Sequence, residues 1–261
     1  MRPAAVPYLD HGGPLALAHR GFSRDGRENS MAAFASAVEL GFRYVETDVH
    51  ATRDGVVVAF HDDTLDRVTD ATGRLAELPW AQVRTARIGG SEPIPTLEDV
   101  LGAWPSLRVN IDVKSAGAVG PTAEVIERTG AHDRVCVASF SDRRRRAVLR
   151  RLSRPVATSA GGPTVAAFLL GSTTRSTAVT RAALGGVHCL QVPERSGPVR
   201  VVTERSVAAA HAAGVQVHVW TVNDPADMHR LLDLGVDGLV TDRSDLLRTV
   251  LEERRSWATA P

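Results

Sequence analysis

The chain has 261 residues, and 31 Lys and Arg stand against 30 Asp and Glu for a formal charge of +1. Hydrophobic residues make up 43% and charged residues 23%, a composition that supports a sizeable core and excludes a disordered chain. The balanced charge argues against nucleic acid or a membrane surface as partner, and no apolar run approaches the ~18–20 residues of a transmembrane span.

The first 13 residues include Pro3, Pro7, Asp10, Gly12 and Gly13 and hold no apolar stretch, so no signal peptide is expected and the chain reads as cytoplasmic. Cys136 and Cys189 are too few for a disulfide framework and form no metal-binding C-x-x-C pair. From Leu15 onward, β-rich runs alternate with amphipathic ones. A strand from Leu15 toward Gly21 precedes a helix over 31–40 with Glu28-Asn-Ser30 as its cap. A second strand, Tyr44 to His50, is followed by an Asp54-Gly55 hairpin turn and an apolar arm, Val56 to Phe60. Residues 63–93 lack periodicity and read as a long functional loop with short helical pieces. A Thr96-capped helix then restores the pattern. Further strands begin at Arg108, Arg134, Val156, Cys189, Val215 and Gly238, and helices are expected at 121–129, 142–152, 164–170, 204–213, 225–234 and 245–254. Eight βα units in about 250 residues predict an α/β fold of the TIM (β/α)8 barrel type. We expect one domain over 1–261, with a small insertion after the second strand at about 54–95. An open doubly wound sheet is disfavoured, because Gly21-Phe-Ser-Arg-Asp-Gly26 is not a dinucleotide fingerprint.

Residues two apart in a strand share a face. Glu46 and Asp48 do so in the second strand, Asp112 and Lys114 in the third, while His19 and Arg20 end the first. Near the carboxyl ends of barrel strands these groups converge on the mouth. Three carboxylates in a partly dry mouth require a cation, and an all-oxygen set favours Mg²⁺ or Ca²⁺ over zinc. Arg20 and Lys114 beside such an ion suit a phosphate. His61, in Phe60-His-Asp62, supplies a second imidazole, so one histidine can remove a proton while the other donates one.

Ala18-His-Arg-Gly21, Glu28-Asn-Ser30, Tyr44-Val-Glu-Thr-Asp-Val49, Thr52-Arg-Asp-Gly55 and Phe60-His-Asp62 occur in an order that resembles the signature of the glycerophosphodiester phosphodiesterase family. Leu65-Asp-Arg-Val-Thr69, Ile94-Pro-Thr-Leu97, Trp220-Thr-Val-Asn223 and Asp237-Gly-Leu-Val-Thr-Asp242 extend the resemblance to the last strand. It implies a TIM barrel whose insertion is the 54–95 segment, with His19 and His61 as the catalytic pair. It also implies Glu46 and Asp48 as ligands of a divalent metal, with Asp112 where the family commonly has Glu in Glu-x-Lys. The implied reaction cuts small-molecule glycerophosphodiesters to glycerol 3-phosphate and an alcohol, through internal attack by a glycerol hydroxyl and a cyclic phosphate. Arg20, Lys114 and Trp220 are the expected substrate-binding residues, with Asn223 a weaker candidate. The Asp-x-Lys variant also occurs in related phospholipase D-like enzymes acting on lysolipids or sphingolipids, which gives one alternative; a silent phospho-polyol-binding barrel is the other.

The remaining histidines, His11, His132, His188, His211, His218 and His229, read as surface or packing residues, and His50 as lying beyond its strand. Seven arginines and one aspartate between Asp142 and Arg154 read as the solvated face of a helix.

Overall fold

The computed structural model describes residues 6–257. Eight parallel strands line up along the chain: β1 (Leu15–His19), β2 (Tyr44–Ala51), β3 (Arg108–Val113), β4 (Val135–Ala138), β5 (Ala157–Thr158), β6 (Cys189–Pro193), β7 (Gln216–Trp220) and β8 (Gly238–Thr241). Their order in the sheet is β5-β4-β3-β2-β1-β8-β7-β6. The two ends meet where His188 N donates to the Thr158 carbonyl at 2.9 Å and Ala160 N to the Cys189 carbonyl at 3.1 Å. The result is a nearly closed barrel with helices between its strands, the predicted TIM barrel.

Local chemistry sets the helix starts. Ser30 accepts from Ala33 N ahead of Met31–Glu39, Thr96 forms a reciprocal box with Asp99 ahead of Leu97–Ala103, and Asp224 accepts from Ala226 and Asp227 N ahead of Pro225–Asp233. Each such cap is worth about 1 kcal/mol. The strands are buried on both faces, so Val45, Val49, Val109, Ile111, Val113 and Val137 pack outward against the helices. Inside, the end of the barrel at the strand starts is closed by Tyr8, Leu15, Leu17, Tyr44, Cys136 and Cys189. Tyr44 Oη donates to the Tyr8 carbonyl at 2.8 Å, pinning the N-terminal segment across that floor. The interior is therefore apolar at one end, and its polar residues gather at the other.

The Asp54-Gly55 turn forms as predicted, and Val57–Ala59 returns antiparallel to β2 with Val49 opposite Ala59 and Ala51 opposite Val57. The 63–93 segment is more ordered than its lack of periodicity suggests. It carries a 3₁₀ turn at Leu75–Glu77, a helical turn at Trp80–Val83 and a two-stranded ribbon pairing Arg87 with Pro93. Phe60, Leu65, Leu75, Val83, Ile88 and Ile94 give it a small core of its own. A single apolar side chain per turn is enough to build that cluster, and it leaves no period to detect.

Three readings need correction. His50 lies within β2 and is buried; its Nε2 donates to the His61 carbonyl at 3.1 Å. The arginine-rich helix Asp142–Leu149 is not wholly solvated, because Arg145 is 3% exposed and forms a 3.0 Å ion pair with Asp142. Sequence reading also missed a helix, Thr177–Leu184, and a short ribbon pairing Arg195 with Arg200 after β6. Both are short; the helix buries only Thr180 and Leu184, and the paired residues of the ribbon are exposed.

Candidate active site

The barrel register assembles the site in layers. His19 of β1 is level with Glu46 of β2, and Glu46 is level with Asn110 of β3; one layer nearer the mouth, Asp48 is level with Asp112. Parallel pairing with two-residue alternation thus turns three separate sequence patterns into one cluster. Lys114, just past the end of β3, places Nζ 2.8 Å from Asp48 Oδ1 and 2.7 Å from Asp112 Oδ2. Arg20 Nε lies 3.0 Å from Asp48 Oδ2 and its Nη1 2.9 Å from Glu28 Oε1.

The His19-Arg20-Gly21 corner has a steric reason. The backbone leaves β1 through positive φ at Arg20 and Gly21, and a Cβ on Gly21 would sit 2.6 Å from the Ala33 carbonyl carbon. Only glycine lets the chain pass there. Asn29 braces the other side, accepting from Thr47 Oγ1 at 2.8 Å.

His19 Nδ1 donates to Asp242 Oδ1 at 2.6 Å, since a carboxylate can only accept. That fixes the tautomer and leaves Nε2 facing the cluster, 3.8 Å from Glu46 Oε2. Asp242 is held by Asn223, whose Nδ2 donates to Asp242 Oδ2 at 2.9 Å and whose Oδ1 accepts from Asp242 N at 2.9 Å. His61 has a parallel support: Nδ1 donates to Asp62 Oδ1 at 2.6 Å, and Arg67 bridges Asp62 to Glu28, the partner of Arg20. One ionic chain therefore runs from the His61 side to Asp48.

Burial and charge set the protonation states. Burial foremost, then repulsion from Asp48, pushes the Glu46 carboxyl up to about 8. Asp48 is buried too, yet the charges of Lys114 and Arg20 hold its carboxyl below the ordinary value. For His19, burial favours the neutral ring, but the hydrogen bond to Asp242 and the charge of Glu46 outweigh it and raise the pKa. Burial likewise works against the Lys114 ammonium, and Asp48 and Asp112 more than compensate.

Glu46, Asp48 and Asp112 are the residues that could hold a metal. Asp112 Oδ1 is buried with no hydrogen-bond partner, and Glu46 is held at a pKa that an added cation would relieve. The donor set is all oxygen, so the residues fit a hard divalent ion. Among the described residues no group of three or more His, Cys, Asp or Glu side chains is already gathered for coordination; here Lys114 lies between Asp48 and Asp112. The Asp112–Lys114 ion pair, the plainer reading of that motif, is therefore present.

These groups form one end of a cavity of about 580 Å³ that also takes in His61, Phe140, Leu169, Val199 and Trp220, a normal size for a small-molecule site. Trp220 is a wall, packed edge-on to Phe140 with ring centroids 5.8 Å apart. All eight residues singled out in the sequence, His19, Arg20, Glu46, Asp48, His61, Asp112, Lys114 and Trp220, line it. Sequence reasoning gave no role to Asp242 or Asp62. A carboxylate closing the last strand, next to the first in a closed barrel, was the available signal for Asp242.

A mouth with two braced imidazoles, stacked carboxylates and two cations on a TIM barrel is chemically suited to phosphodiester hydrolysis. Residues 19–246 match the sequence profile of the Glycerophosphoryl diester phosphodiesterase family, and the chain belongs to that family. It is 51% identical over 253 residues to the "Probable glycerophosphodiester phosphodiesterase 2" of Mycobacterium tuberculosis, covering 97% of this chain and 96% of that one. The fold is shared with a glycerophosphodiester phosphodiesterase from Agrobacterium tumefaciens at TM-score 0.73 and 23% identity, over 90% of this chain and 99% of that one. It is also shared with a phosphodiesterase of Oleispira antarctica, solved with the product sn-glycerol-3-phosphate, at TM-score 0.75 and 22% identity, over 92% and 97% of the two chains. The chain is accordingly an enzyme of the phosphodiesterase class, in a family whose members are generally metal-dependent.

Proposed function

We propose that the protein hydrolyses glycerophosphodiesters to glycerol 3-phosphate and an alcohol, with His19 and His61 as acid and base, acting as a single domain. The observation that carries this reading is the pair of carboxylate-braced histidines that line one cavity with Glu46, Asp48 and Asp112. The product bound by the Oleispira antarctica enzyme, on the same fold, agrees with it.

Glu46, Asp48 and Asp112 would hold a Mg²⁺ or Ca²⁺ ion, which supplies charge to polarise the phosphate and favour ionisation of the attacking hydroxyl. Arg20 and Lys114 then bind phosphate oxygens, Arg20 through its planar fork. One imidazole takes the proton of the neighbouring glycerol hydroxyl and the other protonates the departing alcohol. The two exchange roles when water opens the cyclic phosphate. Asp242 and Asp62 keep each ring oriented, so the proton stays at the nitrogen facing the cluster or leaves from it. An internal nucleophile can lower the barrier by ~7–11 kcal/mol through positioning, which suits a site whose own groups only move protons. Free, buried Cys136 and Cys189 are in keeping with the cytoplasm as its compartment. Among the described residues, no helix is long and apolar enough to cross a membrane.

The test is release of glycerol 3-phosphate from glycerophosphocholine. Wild type should turn over with added Mg²⁺ or Ca²⁺ and stop with chelator, and His19→Ala should lose about 10²–10⁴-fold in kcat. Unchanged turnover in His19→Ala, or in excess chelator, would overturn the respective part of the mechanism.

A further inference from the structure

The run Leu65-Asp-Arg-Val-Thr69 has a place in the sequence signature but none so far in the chemistry. Four of its five residues build a turn. Leu65 is 1% exposed in the small core of the 63–93 segment, and Val68 packs against the same cluster. Thr69 Oγ1 donates to the Leu65 carbonyl at 2.7 Å, and Asp66 Oδ2 accepts from Gly73 N at 3.2 Å. Side-chain bonds to nearby backbone of this kind fix a turn locally. The side chain left over is Arg67, which reaches Asp62 and Glu28.

Its guanidinium uses three donors on those two carboxylates. Nε lies 2.5 Å from Asp62 Oδ2, Nη2 2.6 Å from Glu28 Oε1 and Nη1 3.3 Å from Glu28 Oε2. Each carboxylate also holds a group that lines the cavity: Asp62 Oδ1 takes His61 Nδ1 at 2.6 Å, and Glu28 Oε1 takes Arg20 Nη1 at 2.9 Å. Burial works against the Glu28 carboxylate, but the hydrogen bond from Arg67 and the charge of Arg20 hold its carboxyl below the ordinary value. A single exposed ion pair contributes little. A planar fork that pins two carboxylates at once is different, because its donors have fixed directions.

We propose that Arg67 is a positioning residue, which sets the His61 ring through Asp62 and the Arg20 fork through Glu28. One turn of the insertion thereby aligns a proton-transferring group and a phosphate-binding group together. This rests on the phosphodiesterase reading above and adds to it a residue that does not line the cavity. Asp62 adjoins His61 in the chain, so its carboxylate can follow the ring into several orientations unless its second oxygen is tied. Glu28 has three rotatable bonds and needs the same restraint. Arg67 supplies both restraints from a turn anchored in its own core.

The experiment measures kcat and KM for glycerophosphocholine, with metal added, in Arg67→Ala and Arg67→Lys, alongside thermal melts. Arg67→Ala should lower kcat by about 10- to 100-fold, because displacing a catalytic group by an ångström costs about 10²-fold. It should raise KM by about two- to fivefold, the scale of a half-exposed ion pair. Arg67→Lys keeps the charge and should melt as wild type, but one ammonium cannot fork across two carboxylates, so kcat should stay about 3- to 30-fold low. Millimolar guanidinium should restore part of the kcat of Arg67→Ala, and equal sodium chloride should not. In the His61→Ala background, Arg67→Ala should cost no further kcat and still raise KM, since the ring it positions is gone. Wild-type kcat in Arg67→Ala overturns the inference, as does a kcat loss that persists at full size in the His61→Ala background. A lowered melt with no guanidinium rescue and wild-type kinetics in Arg67→Lys also overturns it, leaving Arg67 a purely structural part. In each case the wild type still hydrolyses its substrate; a wild type that releases no glycerol 3-phosphate overturns the phosphodiesterase reading instead.

Discussion

Replacing Asp242 by Asn tests whether His19 depends on a partner that no single motif announces. The His19 Nδ1–H to Asp242 Oδ1 distance is 2.6 Å, and Asn223 Nδ2 and Oδ1 lock the carboxylate in place. Asn at 242 keeps the size, but its amide can face the ring with either its oxygen or its nitrogen, and the negative charge is gone. A hydrogen bond to a charged group is worth about 1.5–3 kcal/mol. Asp242 is 50% exposed at its side chain, so screening brings the expected loss to about 1–2 kcal/mol. That corresponds to a drop of about 5- to 30-fold in kcat, well short of the ~10²–10⁴-fold attached to His19 itself. The assay is steady-state release of glycerol 3-phosphate from glycerophosphocholine with saturating metal, separating kcat from KM, alongside a thermal melt to confirm the fold. A kcat within twofold of wild type, or an effect seen wholly in KM, would refute the idea that Asp242 acts through His19. Asn223→Ala should give a smaller fall in kcat, because it loosens Asp242 without removing its charge.

His61→Ala should reduce kcat by about 10²–10⁴-fold with a native melt; retained turnover would remove the second histidine from the mechanism. In Gly21→Ala the new Cβ meets the Ala33 carbonyl at 2.6 Å on a backbone with φ +80, a cost of about 2–4 kcal/mol. Calorimetry should find Tm lowered by about 5–15 °C, with activity falling because His19 and Arg20 share that corner. The Asp142 carboxyl accepts from Gly161 N, Thr164 N and Oγ1, and Arg145. Burial pushes it up, but the hydrogen bonds from Thr164, Arg145 and Gly161 prevail and hold its pKa below the ordinary value. Its contribution is therefore complete above the unfolded carboxylate value of about 4 and is lost as the pH falls through the lower folded value. Asp142→Asn, which strands a buried Arg145, should cost about 3–5 kcal/mol near neutrality and lose less further stability than wild type on acidification. Denaturant melts across pH 3–7 check this, and equal acid sensitivity in both proteins would contradict it.

Much of the fold was legible because each barrel strand carries its own evidence. Val109, Ile111 and Val113, or Val215 with Val217 and Val219, alternate with polar residues at the two-residue period of a strand, and Ser30, Thr96 and Asp224 mark helix starts by capping chemistry that acts over three residues. The 63–93 segment resisted reading for the converse reason. Its order comes from Leu65, Leu75, Val83 and Ile88 meeting one another across sequence distance, and no local period records that. His50 was set beyond the strand end because no motif claims it, whereas antiparallel pairing of His50 with Val58 and of Ala51 with Val57 carries β2 past it.

The sequence by itself determined which polar groups the cavity gathers: two histidines, three carboxylates and two cations, most of them at strand ends in a spacing that places each on a definite face. Side-chain direction within a strand is a two-residue property, so it can be read locally. Tertiary structure alone decided how those faces meet. The register of β1, β2 and β3 sets His19 level with Glu46 and Asp48 level with Asp112, and closure of the barrel brings Asp242 of the last strand end against His19 of the first. The cavity wall of Phe140, Leu169, Val199 and Trp220 likewise gathers residues from the connection after β4, the helix Gly162–Thr173, the ribbon after β6 and the end of β7. Contacts between groups 223 residues apart, as His19 and Asp242 are, depend on where the whole chain turns back on itself, and no local pattern encodes that.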